Sequence, residues 1–253
     1  MNLSVVIITF NEEKNIERCL NSVKEVADEI IVLDSFSTDK TEEICKKHNV
    51  KFFQHKFDGH IQQKNRAVSL AENDYVLSLD ADEELSLTLS EEIKKVKKKY
   101  PADAYFFNRL NFFCGKPVKY GGWYPDKKIR LWNKNKGEWG GINPHDTVIL
   151  KKNATKNYLT GNLLHYSYNS IDEYLTQANK FSTISAKELV KRNKKHLYIK
   201  AVLSPLFKFF KNYFLKLGFI GGYTGFMISA VNAFETFMKY SKAIYYNKKQ
   251  MPE

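Results

Sequence analysis

Residues 3–20, LSVVIITFNEEKNIERCL, join a β-branched run to a segment with helical spacing. The run at 3–10 is continuously apolar, which is typical of a strand buried on both faces of a parallel sheet. The segment after it carries Ile16, Leu20 and Val23 on one helical face. This stretch therefore predicts a strand–helix unit at the start of a parallel sheet.

The same alternation continues through the first hundred residues. Further strands are predicted at 29–34, 50–53 and 75–80, and helices at about 13–26, 37–48, 61–72 and in a Lys-rich segment ending near Tyr100. Strands that alternate with helices in this way form right-handed crossovers and a doubly wound sheet. The fold class is therefore predicted to be α/β and Rossmann-like.

Composition divides the chain into three segments. Residues 1–100 carry the strand–helix alternation and are predicted to be the ligand-binding βαβ half. Residues 101–169 contain short aromatic strands and glycine turns, which predict a mixed β extension of the same domain. Residues 170–253 are predicted to form a basic, aromatic tail of amphipathic helices.

The formal net charge of +12 indicates an anionic partner, such as a nucleic acid, an acidic phospholipid or a phosphorylated substrate. No nucleic-acid-reading module is recognisable, so we expect no nucleic-acid partner. Three widely spaced cysteines and the absence of a visible secretory leader favour a reducing, cytoplasmic location.

Polar residues fall where the predicted strands end, at the edge of the sheet where such folds bind ligands. The clearest case is LSLDADEEL at 77–85, in which Asp80, Ala81 and Asp82 follow an apolar strand. Two carboxylates at this spacing can face one hard cation such as Mg²⁺ or Mn²⁺. The alternative is a solvated turn, which the apolar strand and the other strand-end acids, Glu12 and Asp34, disfavour.

Two further strand ends carry polar residues with more than one interpretation. Asn11 and Glu12 follow the first strand and could be a helix cap, a ligand contact or both. The cluster at 37–39 follows Asp34 and is predicted to begin a helix whose amides could hold an anion.

Three of these motifs, in this order, resemble those of family-2 glycosyltransferases with the GT-A fold. They are TFNEE at 9–13, LDSFSTDKT at 33–41 and LDADE at 79–83. Longer runs resemble the branch that builds the inner core of lipopolysaccharide, which includes heptose β-1,4-glucosyltransferases. These runs are 59–83, KIRLWN at 128–133, GEWGGINPHD at 137–146 and 209–226. Gln62 and Gln63 depart from the commoner family pattern and fit this branch.

The resemblance implies a nucleotide-diphosphate sugar as donor, with a UDP-sugar favoured. It assigns donor binding to Thr9, Phe10, Asn11, Glu12, Asp34, Lys64, Asn65, Asp80 and Ala81. It also implies a divalent cation held directly by Asp82, with Asp80 beside it. The implied reaction is inverting transfer of a hexose to a lipid-linked glycan acceptor, with core heptose favoured over capsule, polyprenyl-linked or glycoprotein glycans.

Such a transfer needs a base for the acceptor hydroxyl, and Asp146 is the candidate because a carboxylate can be partly desolvated against Trp139. His145 could be a third metal ligand, a diphosphate donor or a packed turn histidine. Arg130 could bind phosphate on donor or acceptor, or be a solvated strand residue. Trp139 is one of several aromatics that could stack on a sugar or lie in the core.

The C-terminal segment places Phe209, Phe210, Tyr213 and Phe214 on one predicted helical face, with lysines opposite. Such a helix can lie in an anionic bilayer interface. Packing of the same face on the catalytic domain is the alternative. We expect peripheral attachment at the inner face of the cytoplasmic membrane. A nucleotide-binding membrane adaptor is the nonenzymatic alternative, and the sequence leaves the oligomeric state open.

Overall fold

A computed structural model describes residues 1–99, 102–142 and 145–248, without the side chains of Ile142 and His145. Contacts divide the chain into two compact units. The sheet unit comprises 1–110 and 126–165, and the helical unit comprises 111–125 and 166–253. The segment 111–125 thus groups with the C-terminal helices, although the sequence places it in the β extension.

Eleven strands and seven α-helices are found in the described residues. The strands are β1 (Leu3–Thr9), β2 (Glu29–Asp34), β3 (Lys51–Gln54), β4 (Tyr75–Asp80), β5 (Glu83–Leu85), β6 (Ala104–Phe113), β7 (Lys116–Pro117), β8 (Asp126–Asn133), β9 (Gly137–Ile142), β10 (His145–Leu150) and β11 (Lys156–Tyr168). The helices are α1 (Ile16–Val23), α2 (Thr41–Lys46), α3 (His60–Ser69), α4 (Leu87–Lys97), α5 (Ile171–Lys191), α6 (Leu197–Phe210) and α7 (Gly222–Lys248).

The main sheet has the strand order β3-β2-β1-β4-β8-β6-β11-β5, and β7 pairs with β6. Strands β1 to β4 pair in parallel, whereas β8, the strand next to β4, is antiparallel to both β4 and β6. Strands β9 and β10 form a separate antiparallel pair. The α/β sheet with a mixed β extension is therefore confirmed.

Strand β1 is buried on both faces, as its continuous apolar run predicts. Val5 and Ile7 belong to a core cluster that includes Leu20 of α1, whereas Val6 belongs to a second cluster that includes Trp132 and Ala67 of α3. Alternate residues of a strand point to opposite faces, so helices cover this sheet on both sides.

Several element boundaries differ from the sequence prediction. Helix α1 begins at Ile16 rather than Glu13, because the main-chain carbonyl of Glu12 accepts from the amides of Asn15 and Ile16 in a preceding turn. Helix α2 begins at Thr41, because the polar cluster at 37–39 builds a loop instead. Strands β5, β7, β9 and β11 have no counterpart in the sequence prediction.

The helical unit is built on α7, which packs against both α5 and α6. Leu197 of α6 lies in one cluster with Ala243 of α7, while Phe209 at the other end of α6 contacts Phe226. The two helices therefore run side by side in opposite directions. Helix α6 continues as a π-helix at Lys211–Leu215, which widens the turn and shifts the face predicted from regular α-helical spacing.

Among the described residues, no single helix is long and apolar enough to cross a membrane. Leu197–Leu215 and Gly218–Lys248, with a bend of 73° at the break between them, reach that length and composition only as a pair.

Candidate active site

The strand-end acids lie on neighbouring strands of the sheet unit. Strand β1 lies between β2 and β4, with Thr9 beside Asp34 and Ile8 beside Asp80. Because these strands are parallel, their carboxyl ends open on one edge. The structure thus brings the first, second and fourth strand ends together, as the sequence predicts.

The loops after β1 and β2 are tied to each other. Asn11 adopts a left-handed conformation with φ of 54°, and its side-chain oxygen accepts from the amide of Thr38 at 2.8 Å. In return, the amide of Asn11 donates to Ser37 Oγ, and the amide of Glu12 donates to Thr41 Oγ1, both at 2.8 Å. Asn11 therefore shapes the loop through a strained conformation that asparagine tolerates, and it does not cap α1.

The residues predicted to bind the donor base differ widely in exposure. Phe10 is 55% exposed and lies at the surface, whereas Asp34 is completely buried. Asp34 accepts from the amide and hydroxyl of Ser37 and from Gln54 Nε2 at 2.5–3.2 Å. The prediction that Asp34 accepts directly from a base is not supported by this burial, because Ser37 or Gln54 would have to move.

Thr9 differs from Asp34, because its polar group is not engaged in hydrogen bonds within the part of the protein that the structure describes. Its hydroxyl is buried at the end of β1 and has no protein partner among the described residues. A buried hydroxyl without a partner costs free energy, so it is suited to bind a polar group of a ligand. The assignment of Thr9 to the donor site stays a prediction.

Glu12 is partly buried beside other acids. Burial, with the charges of Asp82, Asp39 and Asp80, raises the pKa of Glu12 to about 7 against a hydrogen bond from Asn15 that lowers it. Mutual repulsion of these carboxylates shows that Glu12 shares its surroundings with both acids of the Asp80–Asp82 motif. The edge of the sheet therefore carries a strong negative potential.

Lys64 of α3 is buried between two carboxylates. Its ammonium nitrogen lies 3.0 Å from Asp80 Oδ1 and 2.7 Å from Asp146 Oδ2, with only 3% of the side chain exposed. It also lies 4.5 Å above the ring of Trp139. The structure thus places the candidate base at the site and shows that Lys64 holds it there.

Arg130 of β8 forms a second buried set of charges. One guanidinium nitrogen donates to Asp80 Oδ2 at 3.0 Å and to Glu83 Oε1 at 2.6 Å. Burial opposes ionisation of Asp80, but Lys64 and Arg130 outweigh it and hold the pKa of Asp80 well below its usual range. The prediction of an accessible phosphate contact for Arg130 is not supported, because the residue is 3% exposed and orients two acids.

Asn65 and Trp139 join α3 to β9. The side-chain amide of Asn65 donates to the carbonyl of Trp139 at 2.8 Å, and its oxygen accepts from the amide of Trp139 at 2.9 Å. Trp139 is 4% exposed, packs edge-on against Trp132 and donates to Ser78 Oγ. Trp139 therefore offers no surface for an acceptor sugar, and the amide of Asn65 is engaged with the main chain.

Asp82 faces a histidine that the sequence analysis did not find. The Nε2 atom of His165, on β11, lies 3.1 Å from Asp82 Oδ2. Strand β11 pairs with β5 so that His165 is opposite Glu83, one residue after Asp82. A single histidine in a strand carries no recognisable signal, and only this long-range pairing reveals its partner. Ala81, between the two acids, is 3% exposed.

Asp82 and His165 are two side chains of this edge that could hold a divalent cation. Asp80 is already neutralised by Lys64 and Arg130, whereas Asp82 offers an oxygen close to an imidazole nitrogen. Within the described part of the chain, no three His, Cys, Asp or Glu residues form a complete metal-binding cluster. The side chain of His145, predicted as a third ligand, lies outside the described residues.

Comparison with known families agrees with this geometry. The model of the family described as Glycosyl transferase family 2 matches residues 4–159, which include both acids of the Asp80–Asp82 motif, Lys64 and Asp146. The chain belongs to glycosyltransferase family 2. Its α/β sheet with β extension and C-terminal helices is therefore a GT-A fold, and the protein is a glycosyltransferase enzyme.

Members of this family with similar sequences span nearly the whole chain. An uncharacterized glycosyltransferase of Rickettsia felis is 35% identical over 95% of this chain and 88% of its own length. The lipopolysaccharide core biosynthesis glycosyltransferase LpsC of Rhizobium meliloti is 28% identical over 94% of this chain and 91% of its own length. Among solved structures, S. aureus TarS in complex with UDP is 16% identical, with a TM-score of 0.49 over 99% of this chain and 92% of that chain.

Proposed function

We propose that this family-2 glycosyltransferase moves a hexose, with inversion, from a nucleotide-diphosphate sugar to a lipid-linked glycan. A UDP-sugar is the favoured donor and lipopolysaccharide core heptose the favoured acceptor. The observation that carries the proposal is the placement of Lys64 and Asp146 beside Asp80, next to the pair of Asp82 and His165. Similarity to LpsC, whose name refers to lipopolysaccharide core biosynthesis, supports the acceptor.

The donor nucleotide would lie along the ends of β1 and β2. Phe10 is exposed for contact with a base, and the free hydroxyl of Thr9 can bind a polar group of the donor. The diphosphate would lie toward Asp82, where Asp82 and His165 would hold Mg²⁺ or Mn²⁺. Such a cation neutralises negative charge on the departing diphosphate.

Asp146 would act as the base. It removes the proton of the acceptor hydroxyl while that oxygen bonds to the anomeric carbon of the donor sugar. The bond from this carbon to the diphosphate oxygen breaks, its electron pair leaves with the nucleoside diphosphate, and attack from the opposite side inverts the configuration. Lys64 holds Asp146 in position, and Arg130 together with Lys64 holds Asp80.

We also propose that the helical unit attaches the enzyme to the anionic inner face of the cytoplasmic membrane, where a lipid-linked acceptor would be found. Helix α6 exposes large apolar side chains among lysines, a combination suited to a bilayer interface. A bilayer would bury this surface and bring acceptor and enzyme together.

The donor is tested by thermal shift of the full chain with UDP-, GDP-, CDP- and ADP-sugars, each with Mg²⁺ or Mn²⁺. We expect a UDP-sugar with a cation to raise the melting temperature most, since ligands that bind the native state stabilise it. Transfer from that sugar is then measured to heptose-containing core acceptors and to a polyprenyl-linked glycan. Transfer to the polyprenyl glycan alone would overturn the proposal that core heptose is the acceptor. Stabilisation by none of the sugars would overturn the proposed donor site.

A further inference from the structure

A groove of about 530 Å³ lies between α6 and α7 in the helical unit. It is lined only by apolar residues, among them Val202, Leu206, Phe209, Phe234 and Phe237. This volume is typical of a small-molecule site. Because the lining carries no polar side chain, a peptide or sugar in the groove would lose hydrogen bonds to water without replacement. The groove therefore fits a ligand segment that is itself hydrocarbon.

The groove opens on an exposed apolar stripe of α6. Ile199, Val202, Leu206 and Phe210 recur at three- or four-residue spacing, and each is between 50% and 65% exposed. Such spacing usually marks the buried face of a helix. A contiguous exposed stripe of this kind is typical of a surface that contacts a partner or a membrane.

Four lysines of the helical unit lie near enough for their charges to act on one another, and one of them, Lys208, adjoins Phe209 of the groove lining. Lys208 precedes Phe209 in the chain, and burial together with the charges of Lys216, Lys239 and Lys211 lowers its pKa. The charge of Glu235 acts in the opposite direction on Lys208. An anion at this position would relieve the repulsion among the lysines. An anionic group joined to a hydrocarbon chain thus matches both the lysines and the groove.

We propose that the α6–α7 groove binds one acyl chain of an anionic phospholipid, with the headgroup phosphate at Lys208. The inference deepens the membrane attachment proposed above, because it assigns a lipid-binding site rather than general adhesion. A seated chain would fill the groove and leave the exposed stripe in the acyl region of the same leaflet.

Two neighbouring substitutions distinguish the groove from general apolar adhesion. Val202 lines the groove, whereas Leu203 does not, and the two side chains are 62% and 58% exposed. Val202→Asp and Leu203→Asp therefore add the same charge at similar exposure. For flotation with phosphatidylcholine–phosphatidylglycerol vesicles, we expect Val202→Asp to weaken binding at least about tenfold more than Leu203→Asp, a difference of about 1.4 kcal/mol. Equal weakening of vesicle binding in the two variants, or no weakening in either, would overturn the proposal that the groove binds an acyl chain.

The headgroup is tested with Lys208→Gln, using Lys187→Gln on α5 as the matched control. We expect only Lys208→Gln to lose most of the preference for vesicles containing phosphatidylglycerol over pure phosphatidylcholine, because the phosphate contact is electrostatic. Equal affinity of the wild type for the two kinds of vesicle would overturn the anionic headgroup.

Entry of the acyl chain into the groove is tested with Phe234→Trp and phospholipids that carry a fluorescence quencher on the acyl chain. Phe234 lines the groove and is 51% exposed, so an indole fits there with little disturbance. We expect strong quenching for this variant and none beyond the wild-type level for Tyr158→Trp, on β11 of the sheet unit. Lack of quenching in Phe234→Trp would contradict a seated chain, as would a lipid-independent dimer that covers the groove.

The enzymatic proposal is measured separately in the same variants. Val202, Leu203 and Lys208 lie outside the candidate active site, so hydrolysis of the donor sugar in solution should stay at the wild-type rate. Loss of vesicle binding with normal hydrolysis would support the lipid site. Normal lipid binding by a wild type that uses no nucleotide sugar would instead contradict the proposed function alone.

Discussion

The ammonium of Lys64 lies 2.7 Å from a carboxylate oxygen of Asp146, although 82 positions separate the two residues in the chain. The same ammonium lies 3.0 Å from Asp80, so one buried cation pairs with two acids. This arrangement joins α3, the end of β4 and the start of β10. It fixes the position of the candidate base before any ligand binds.

Asp146→Asn is expected to lower the rate of sugar transfer by about 10²–10⁴-fold, because an amide cannot accept the proton. The shape of the side chain is kept, and Lys64 retains Asp80, so donor affinity should change little. Steady-state kinetics and calorimetric titration with the donor nucleotide separate the two effects. Turnover at the wild-type rate would remove Asp146 from the role of base.

Lys64→Met is expected to destabilise the protein by about 3–5 kcal/mol, since it removes the cation of the partly buried Asp146 and leaves Asp80 with Arg130 alone. Denaturant unfolding at neutral pH measures this loss. The control is Lys127→Met on β8, whose lysine is placed near the ring of Phe106 rather than between acids. A loss no larger than that of the control would show that Lys64 is not needed to balance Asp80 and Asp146.

The strands that bear the first acids could be predicted because their signal is local. Continuous apolar runs identify β1, β2 and β4, and the polar residues after them mark the edge where ligands bind. Asp80 and Asp82 are predicted in this way, whereas Asp146 is predicted from the run at 137–146 and the need for a base. The separate electrostatic roles of these three acids could not be predicted from the sequence, because the cations of Lys64 and Arg130 reach Asp80 only in the folded chain.

Strand β11 shows where sequence reasoning fails. Its sequence, KNYLTGNLLHYSY, mixes polar and apolar residues without strict alternation, so its pairing with β5 cannot be derived locally. His165 was missed with it. The choice between sugar stacking and core burial for Trp139 stays open in the sequence for a related reason, because a tryptophan in a glycine-rich segment gives no indication of burial. The Asn65 amide that fixes Trp139 is distant in sequence.

Asp82→Asn and His165→Ala are each expected to weaken Mn²⁺ binding by about tenfold or more, because each removes one of the two side chains that fit the cation. Electron paramagnetic resonance of free Mn²⁺, titrated with protein and UDP, measures binding without turnover. Asp126→Asn is the control, since Asp126 pairs with Arg109 and Lys128 instead. Wild-type affinity in His165→Ala would leave His165 as only a hydrogen-bond partner of Asp82.

Glu12 is expected to make the apoprotein less stable as pH rises from about 4.5 to about 7. Burial raises the pKa of Glu12 from 4.5 to about 7, so the folded state holds a proton that the unfolded state has released. The stabilisation by this proton is present in full below the pKa of Glu12 in the unfolded state. It is lost as the pH rises through the pKa of Glu12 in the folded state. Allowing for partial exposure, it amounts to about 1–2 kcal/mol.

Glu12→Gln tests this dependence because glutamine stays neutral throughout. The stability of the wild type relative to the variant should fall between pH 4.5 and pH 7.5, as measured by denaturant unfolding at fixed ionic strength. Parallel curves for the two proteins across this range would show that Glu12 titrates at its ordinary pKa.

Gly225→Ala is expected to lower the stability of the helical unit by more than about 2 kcal/mol, because it disturbs the place where α7 meets the preceding turn. A β-carbon at Gly225 would lie 1.8 Å from the carbonyl oxygen of Gly218 and 2.9 Å from its carbonyl carbon, so main chain would have to shift. Gly221→Ala is the matched control, since nothing lies within 4 Å of its β-carbon position. Thermal unfolding followed by circular dichroism measures both variants. Equal melting temperatures would contradict the close approach of residues 218 and 225, because main-chain atoms, unlike a flexible side-chain end, cannot make room for a methyl group without loss of packing.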